Sequence, residues 1–280
     1  MGKSYFCGNN RITDMKTTLA PIQERPVRRL ARVFTAILLI LVPAGCQEPE
    51  TLGFTPREYL GQVCADCPSV RVYVPEASEE KALGRAVNRS VREEVIEWLD
   101  YDEVSGASDI PEAIRAFGAG YRNLREQFPD EAIGWEATVE GVVALESDEL
   151  LSLKLDGYIF TGGAHGFTRT RYLNFDKKSA RELDNRELFR DLPGLEALAE
   201  AAFRDSQGIA SDAEINSTGF MFEDNQFRLP DTIGFEAEGL VLLYNPYEVA
   251  SYADGPVRVV IPYADANPYL ALSAGMQPPA

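Results

Sequence analysis

The chain has 280 residues, with 27 Lys and Arg against 44 Asp and Glu, a net charge of −17, one histidine and four cysteines. The acidic balance argues against nucleic-acid binding, which needs clustered Lys and Arg on phosphates. A single histidine excludes His-rich metal centres and paired-histidine acid–base chemistry. The apolar fraction of 45% is that of a folded globular chain, long enough for one large domain or two small ones.

The N-terminal stretch reads as an address rather than a fold. Residues 25–32 (RPVRRLAR) carry four arginines and precede the apolar run VFTAILLILV at 33–42, then Pro43-Ala44-Gly45-Cys46. A positive segment, a short apolar run and small residues before a cut site describe a secretory signal. The run has ten residues, short of the ~20 that span a bilayer. Cysteine after Ala-Gly resembles a bacterial lipoprotein signal, with 1–45 removed and Cys46 lipidated; an ordinary secretory signal cut nearby is the alternative. Residues 1–45 hold seven Lys/Arg and two Asp/Glu, so the chain from Cys46 has 20 basic and 42 acidic residues and a net charge of −22. Gln47 rather than Asp follows the cysteine, which in a Gram-negative cell implies an outer-membrane lipoprotein facing the periplasm. Residues 46–68 read as a tether, with Pro49, Gly53, Pro56 and Gly61 discouraging regular structure. Cys64 and Cys67 can close a tight disulfide in an oxidising envelope; a redox or metal role is the alternative.

Val70–Val74 alternates and is β-branched, so a strand is expected. Leu83, Val87, Val91, Val95, Trp98 and Leu99 recur at helical spacing across 79–100. Ile114, Phe117, Tyr121, Leu124 and Phe128 make a second stripe across 111–128, with Pro111 suited to its first turn. Residues 135–146 place Trp135, Ala137, Val139, Val143 and Leu145 on one strand face, and 150–160 alternates again after a Ser147-Asp148 turn. Two such runs predict an antiparallel hairpin. The segment Thr161-Gly162-Gly163-Ala164-His165-Gly166 interrupts the pattern before 167–175 resumes it. A helix is expected at 194–205, and short strands at 226–229, 233–243 and 256–262. Grouped helices and dominant hairpins predict an α+β fold: two adjoining lobes with antiparallel sheets and amphipathic helices packed on them. The expected domains are 69–165 and 166–270, followed by a tail at 271–280.

Motifs that carry chemistry are scarce. There is no Gly-x-Ser-x-Gly elbow, no phosphate-cradling Gly-x-x-x-x-Gly-Lys-Ser/Thr loop, no dinucleotide fingerprint and no EF-hand loop. No catalytic residue, metal site or cofactor is therefore assigned. His165 sits among Gly162, Gly163 and Gly166, which free the backbone to approach another group closely. An imidazole there suits contact with a ligand or partner, or a proton shuttle; a glycine bulge whose imidazole bonds a carbonyl is the simpler alternative. Tyr244, Tyr247 and Tyr252 pair an apolar body with a polar tip, suited to sugar stacking or protein contact, or to inward packing.

Three stretches carry a resemblance. LSLKLDGYIFTGGAHGFTRTRYLNFD at 151–176 is similar to the strand–GGAHG–strand segment of the extracytoplasmic region of RsiV-type anti-sigma factors and of the N-terminal region of PdaC-type peptidoglycan deacetylases. LDNRELFRDLPGLEALAEAAFR at 183–204 resembles the strand-to-helix step that follows, and LYNPYEVASYADGPVRVVIPY at 243–263 their closing tyrosine-rich strand pair. The resemblance implies a PdaC-like domain followed by one like the RsiV C-terminal domain, both domains of unknown function. In RsiV-type proteins this region binds lysozyme. In PdaC-type proteins the deacetylase chemistry resides in a separate domain that this sequence does not show.

The functional expectation is an envelope lipoprotein, held to the membrane by its lipid anchor only, acting as a binding module. Its expected partner is a basic protein such as lysozyme, or peptidoglycan. The alternative is an envelope hydrolase, or an accessory domain of a cell-wall enzyme, using His165.

Overall fold

In the computed structural model the structure describes residues 51–64, 67–100, 106–129 and 133–274. The signal expected at 1–45, Cys46 and most of the 271–280 tail lie outside the described residues. Among the described residues, nine strands form two sheets. A six-stranded sheet has the order β1-β2-β3-β4-β5-β6, from β1 (Phe54–Leu60), β2 (Ser69–Ala77), β3 (Glu136–Glu146), β4 (Leu150–Phe160), β5 (Phe167–Asp176) and β6 (Arg181–Glu182). A three-stranded sheet is formed by β7 (Thr232–Glu236), β8 (Gly239–Tyr244) and β9 (Val257–Ile261). Helices α1 (Ala82–Leu99), α2 (Ile110–Gln127) and α3 (Leu192–Gln207) join them, with a short α4 (Tyr263–Ala266) near the end. The fold is α+β, in two lobes.

Helices α1 and α2 follow from their apolar stripes. Leu83, Val87, Val91, Val95 and Leu99 from α1 meet Val70, Val72, Val139, Leu153 and Leu155 of the large sheet in one buried cluster. The Asp109 side chain caps α2 by accepting from Glu112 N at 2.7 Å, and Pro111 occupies the first turn, where its missing N–H costs nothing. The opposite face of the large sheet is covered by the small one. Strand β8 is buried along its whole length because Val241 and Leu243 face the large sheet while Leu240, Leu242 and Tyr244 face the α3 side. Gly234 in β7 makes the close approach possible: a Cβ there would fall 2.0 Å from the Tyr172 ring of β5. Buried polar groups then lock the two sheets together. Ser152 Oγ donates to Asn174 Oδ1 at 2.8 Å, and Asn174 Nδ2 donates to the Ile233 carbonyl at 2.8 Å.

Four expectations change. Residues 54–60, read as tether, form strand β1; Pro56 is tolerated because β1 is an edge strand, paired only with β2. The large sheet is not wholly antiparallel: β2 and β3 run parallel, since the two helices between them carry the chain back to its starting end. Val143 and Leu145 do not share a face. A bulge pairs Val143 with Leu153 but Leu145 with Ser152, so Leu145 turns toward the small sheet. No strand forms at 226–229, and 233–243 divides into the β7–β8 hairpin.

The division placed at 165/166 falls between β4 and β5, and strand pairing in the first sheet continues to Glu182. Cys64 and Cys67 are joined by a disulfide, with Cα atoms 5.2 Å apart, in the connection from β1 to β2.

Candidate binding surface

The β4–β5 hairpin ends in the Thr161–Gly166 loop, where Gly162 and Gly163 take φ of +105° and +89°. Such angles favour glycine and send the loop back on itself. Gly166 is held by space as well, because a Cβ there would meet the Tyr158 ring at 2.3 Å. Ala164 and His165 are left exposed at the tip.

A second loop, from the end of β8 to β9, meets this tip. His165 lies face to face with Tyr252, ring centroids 3.9 Å apart and planes 13° apart. Tyr247 completes the group, its ring centroid 5.7 Å from that of Tyr252 and its hydroxyl 3.5 Å from His165 Nε2. His165 Nδ1 lies 3.0 Å from the Gly166 carbonyl. A carbonyl only accepts, so Nδ1 carries a proton. Tyr247 is 57% exposed and has φ of +72°, a left-handed conformation that a bulky residue adopts only when its surroundings enforce it.

Those surroundings are specific. Asn245 grips the open edge of β5: its Oδ1 accepts from Thr170 N at 2.8 Å, and its Nδ2 donates to the Thr170 carbonyl and to Thr232 Oγ1, both at 3.1 Å. The Glu248 carboxylate accepts from Asn245 N at 2.9 Å and Asp231 N at 2.8 Å. Its burial holds its pKa above the ordinary carboxylate value, against the pull of those two N–H groups. Ser251 and Asp254 close a reciprocal cap over the turn that carries Tyr252. The backbone is thus fixed on both sides of Tyr247, and the aromatic group is preformed rather than assembled on demand.

Of the residues singled out from sequence, Gly162, Gly163, His165, Tyr247 and Tyr252 converge at this tip. Tyr244 does not join them. It is 1% exposed, packs edge-on against Phe203 and Phe222, and donates its hydroxyl to the Arg228 carbonyl at 2.6 Å. Its place in β8 turns it inward. Sequence reasoning missed Asn245 and Glu248, whose roles depend on an edge of β5 that only the folded sheet defines.

A charged cluster lies on the helix side of the same hairpin. Arg169 Nη1 donates to Glu97 Oε1 at 3.1 Å, and the guanidinium lies 5.6 Å from the Trp98 ring centroid. Glu94, with its side chain only 10% exposed, stands 3.8 Å from both Arg169 and Arg171. Burial raises its pKa despite the two arginines. Gly157 of β4 lets Trp98 lie on the strand, since a Cβ would fall 2.5 Å from the indole.

Among the described residues no group of three His, Cys, Asp or Glu could hold a metal ion, and no helix is long and apolar enough to cross a membrane. The imidazole has no carboxylate at either nitrogen; its partners are a carbonyl and a phenol. The arrangement offers stacking area and hydrogen-bonding tips, the equipment of a contact surface.

Comparison with known proteins supplies the relatives. Residues 64–168 match the family model described as deacetylase PdaC, and residues 186–264 match the model described as a protein of unknown function, DUF3298. No curated protein matches. A DUF3298 family member from Bacteroides fragilis shares the fold at 19% identity, with a TM-score of 0.60 over 79% of this chain and 94% of that one. A DUF3298 family protein from Pseudomonas aeruginosa does so at 20% identity and a TM-score of 0.54, over 80% of this chain and 95% of that one. The chain therefore carries two adjoining domains, one PdaC-like and one DUF3298-like, on the fold that the DUF3298 family structures share.

Proposed function

We propose that the chain is an envelope-anchored lipoprotein, bound to the bilayer through Cys46, whose aromatic tip binds a basic protein of the lysozyme kind. The observation that carries this reading is the preformed stack of His165 on Tyr252 beside the exposed Tyr247. Rigid aromatic side chains with polar ends lose little entropy on contact and dominate interface energetics. The charge supports it too: −22 from Cys46 onward steers a cationic partner and makes affinity fall with salt. Calorimetric titration with lysozyme at low and moderate salt tests it. Retained heat that weakens with salt and is lost in Tyr252→Ala is the expected result; no heat at low salt removes the proposal.

A second reading is peptidoglycan glycan stacking, for which Tyr247 supplies the exposed ring. Soluble muropeptides titrated against Tyr247→Ala distinguish the two partners. The hydrolase alternative places His165 as a base, yet its nitrogens face Gly166 and Tyr247 rather than a carboxylate. Unchanged peptidoglycan turnover on His165→Gln retires it.

A further inference from the structure

We infer that the end of the molecule opposite the aromatic tip is a membrane-facing surface, seated on phospholipid headgroups, which holds the His165 site away from the bilayer. The inference rests on the lipid-anchor reading above. Leu52, beside the first described residue, is buried, and its N–H donates to Glu146 Oε1 at 2.9 Å. Glu146 is fixed in turn by Lys177 Nζ at 2.8 Å, which also donates to the Ser147 carbonyl at 2.8 Å. The start of the fold is thus pinned to the base of the β3–β4–β5 hairpins. Six residues from Cys46 to Leu52 reach at most about 22 Å when fully extended. An acylated Cys46 therefore keeps this base close to the lipid.

Lysine placement fits the same orientation. Only four lysines follow Cys46, namely Lys81, Lys154, Lys177 and Lys178. Three of them, all but Lys154, line the open cavity of about 770 Å³ that also contains Leu52. Lys81 and Lys178 are exposed there. Carboxylates share the face (Asp148, Glu149, Asp176), so it is close to neutral in a strongly anionic body. Anionic lipid repels such a face less than it repels the acidic body as a whole, and ammonium groups near a headgroup layer add attraction.

The tip lies at the other end of β4. The eleven residues Leu150–Phe160 run from the pinned base to the Thr161–Gly166 loop, a rise of about 33 Å at ~3.3 Å per residue. Base and tip therefore cannot both touch the bilayer when the hairpin stands on its base.

The test uses the lipidated full chain, purified from membranes and reconstituted into vesicles of phosphatidylcholine with a minor fraction of phosphatidylglycerol. A fluorophore is attached at A164C in one sample and K178C in another, Cys64 and Cys67 being closed in a disulfide, and a headgroup nitroxide lipid is added as quencher. Several-fold stronger quenching at 178 than at 164 is the expected result. Equal quenching, or stronger quenching at 164, overturns the orientation. Intact mass separates the two layers: an acylated Cys46 with the wrong quenching order sinks only this inference, whereas an unacylated chain sinks the anchor reading and this inference with it.

Discussion

His165 and Tyr252 stack at 3.9 Å although one belongs to the β4–β5 hairpin and the other to the loop between β8 and β9. Their contact bridges the two lobes. Aromatic pairs contribute about 0.5–1.5 kcal/mol beyond area burial. A double-mutant cycle with His165→Ala and Tyr252→Ala, followed by urea unfolding, is expected to return a coupling energy of about 1 kcal/mol. Strictly additive effects would show that the rings are neighbours without interaction.

Asn245 is the clip that makes this meeting possible. Removing its amide leaves Thr170 N at the β5 edge without this partner, while the Thr170 carbonyl keeps the Thr232 hydroxyl alone. Asn245→Ala is expected to cost about 2–3 kcal/mol, the scale of orphaned, partly buried hydrogen-bonding groups. Hydrogen exchange should report faster opening at Thr170 and at 245–255, while α1 and α2 keep their protection.

Gly157 and Gly163 separate two reasons for glycine. Gly157→Ala drives a methyl into the Trp98 indole, so a loss of about 1–3 kcal/mol is expected, with a shift in tryptophan emission as the ring leaves the strand. Gly163→Ala meets nothing within 4 Å but must hold φ of +89°; about 1 kcal/mol of backbone strain is expected, with emission unchanged.

The buried Glu94 gives stability a pH dependence of defined sign. Its carboxyl titrates above the ordinary carboxylate value because burial outweighs the attraction of Arg171 and Arg169. As pH falls, the folded protein takes up this proton before the unfolded chain does, and unfolded Glu titrates near ~4.3. Stability from this group is therefore fully present below the unfolded value and is lost as pH rises through the folded one. Relative to Glu94→Gln, which does not titrate, the wild type should gain stability in urea titrations as pH falls from 7 toward the unfolded value. A difference that is constant, or that moves the other way, would show that the two arginines dominate.

The α1 and α2 stripes and the β3, β4 and β5 alternations were legible because burial on one face imposes a period on neighbouring residues. His165, Tyr247 and Tyr252 were legible for a different reason: glycine-rich and tyrosine-rich loops stand out against regular elements. Strand β1 was not, since Pro56 within it and Gly53 and Gly61 beside it read as a tether until an edge position excuses the proline. Leu145 was misplaced because a bulge breaks the period without changing composition.

Local sequence indicated most of the helices and strands, because those depend on neighbours within a turn or two. It left undecided that β2 and β3 run parallel, that Tyr244 turns inward while Tyr247 and Tyr252 turn out, and that Asn245 finds the bare edge of β5. Each of those is a pairing between segments distant along the chain, and its energy exists only once both sheets are packed and the free edge has nowhere else to donate and accept.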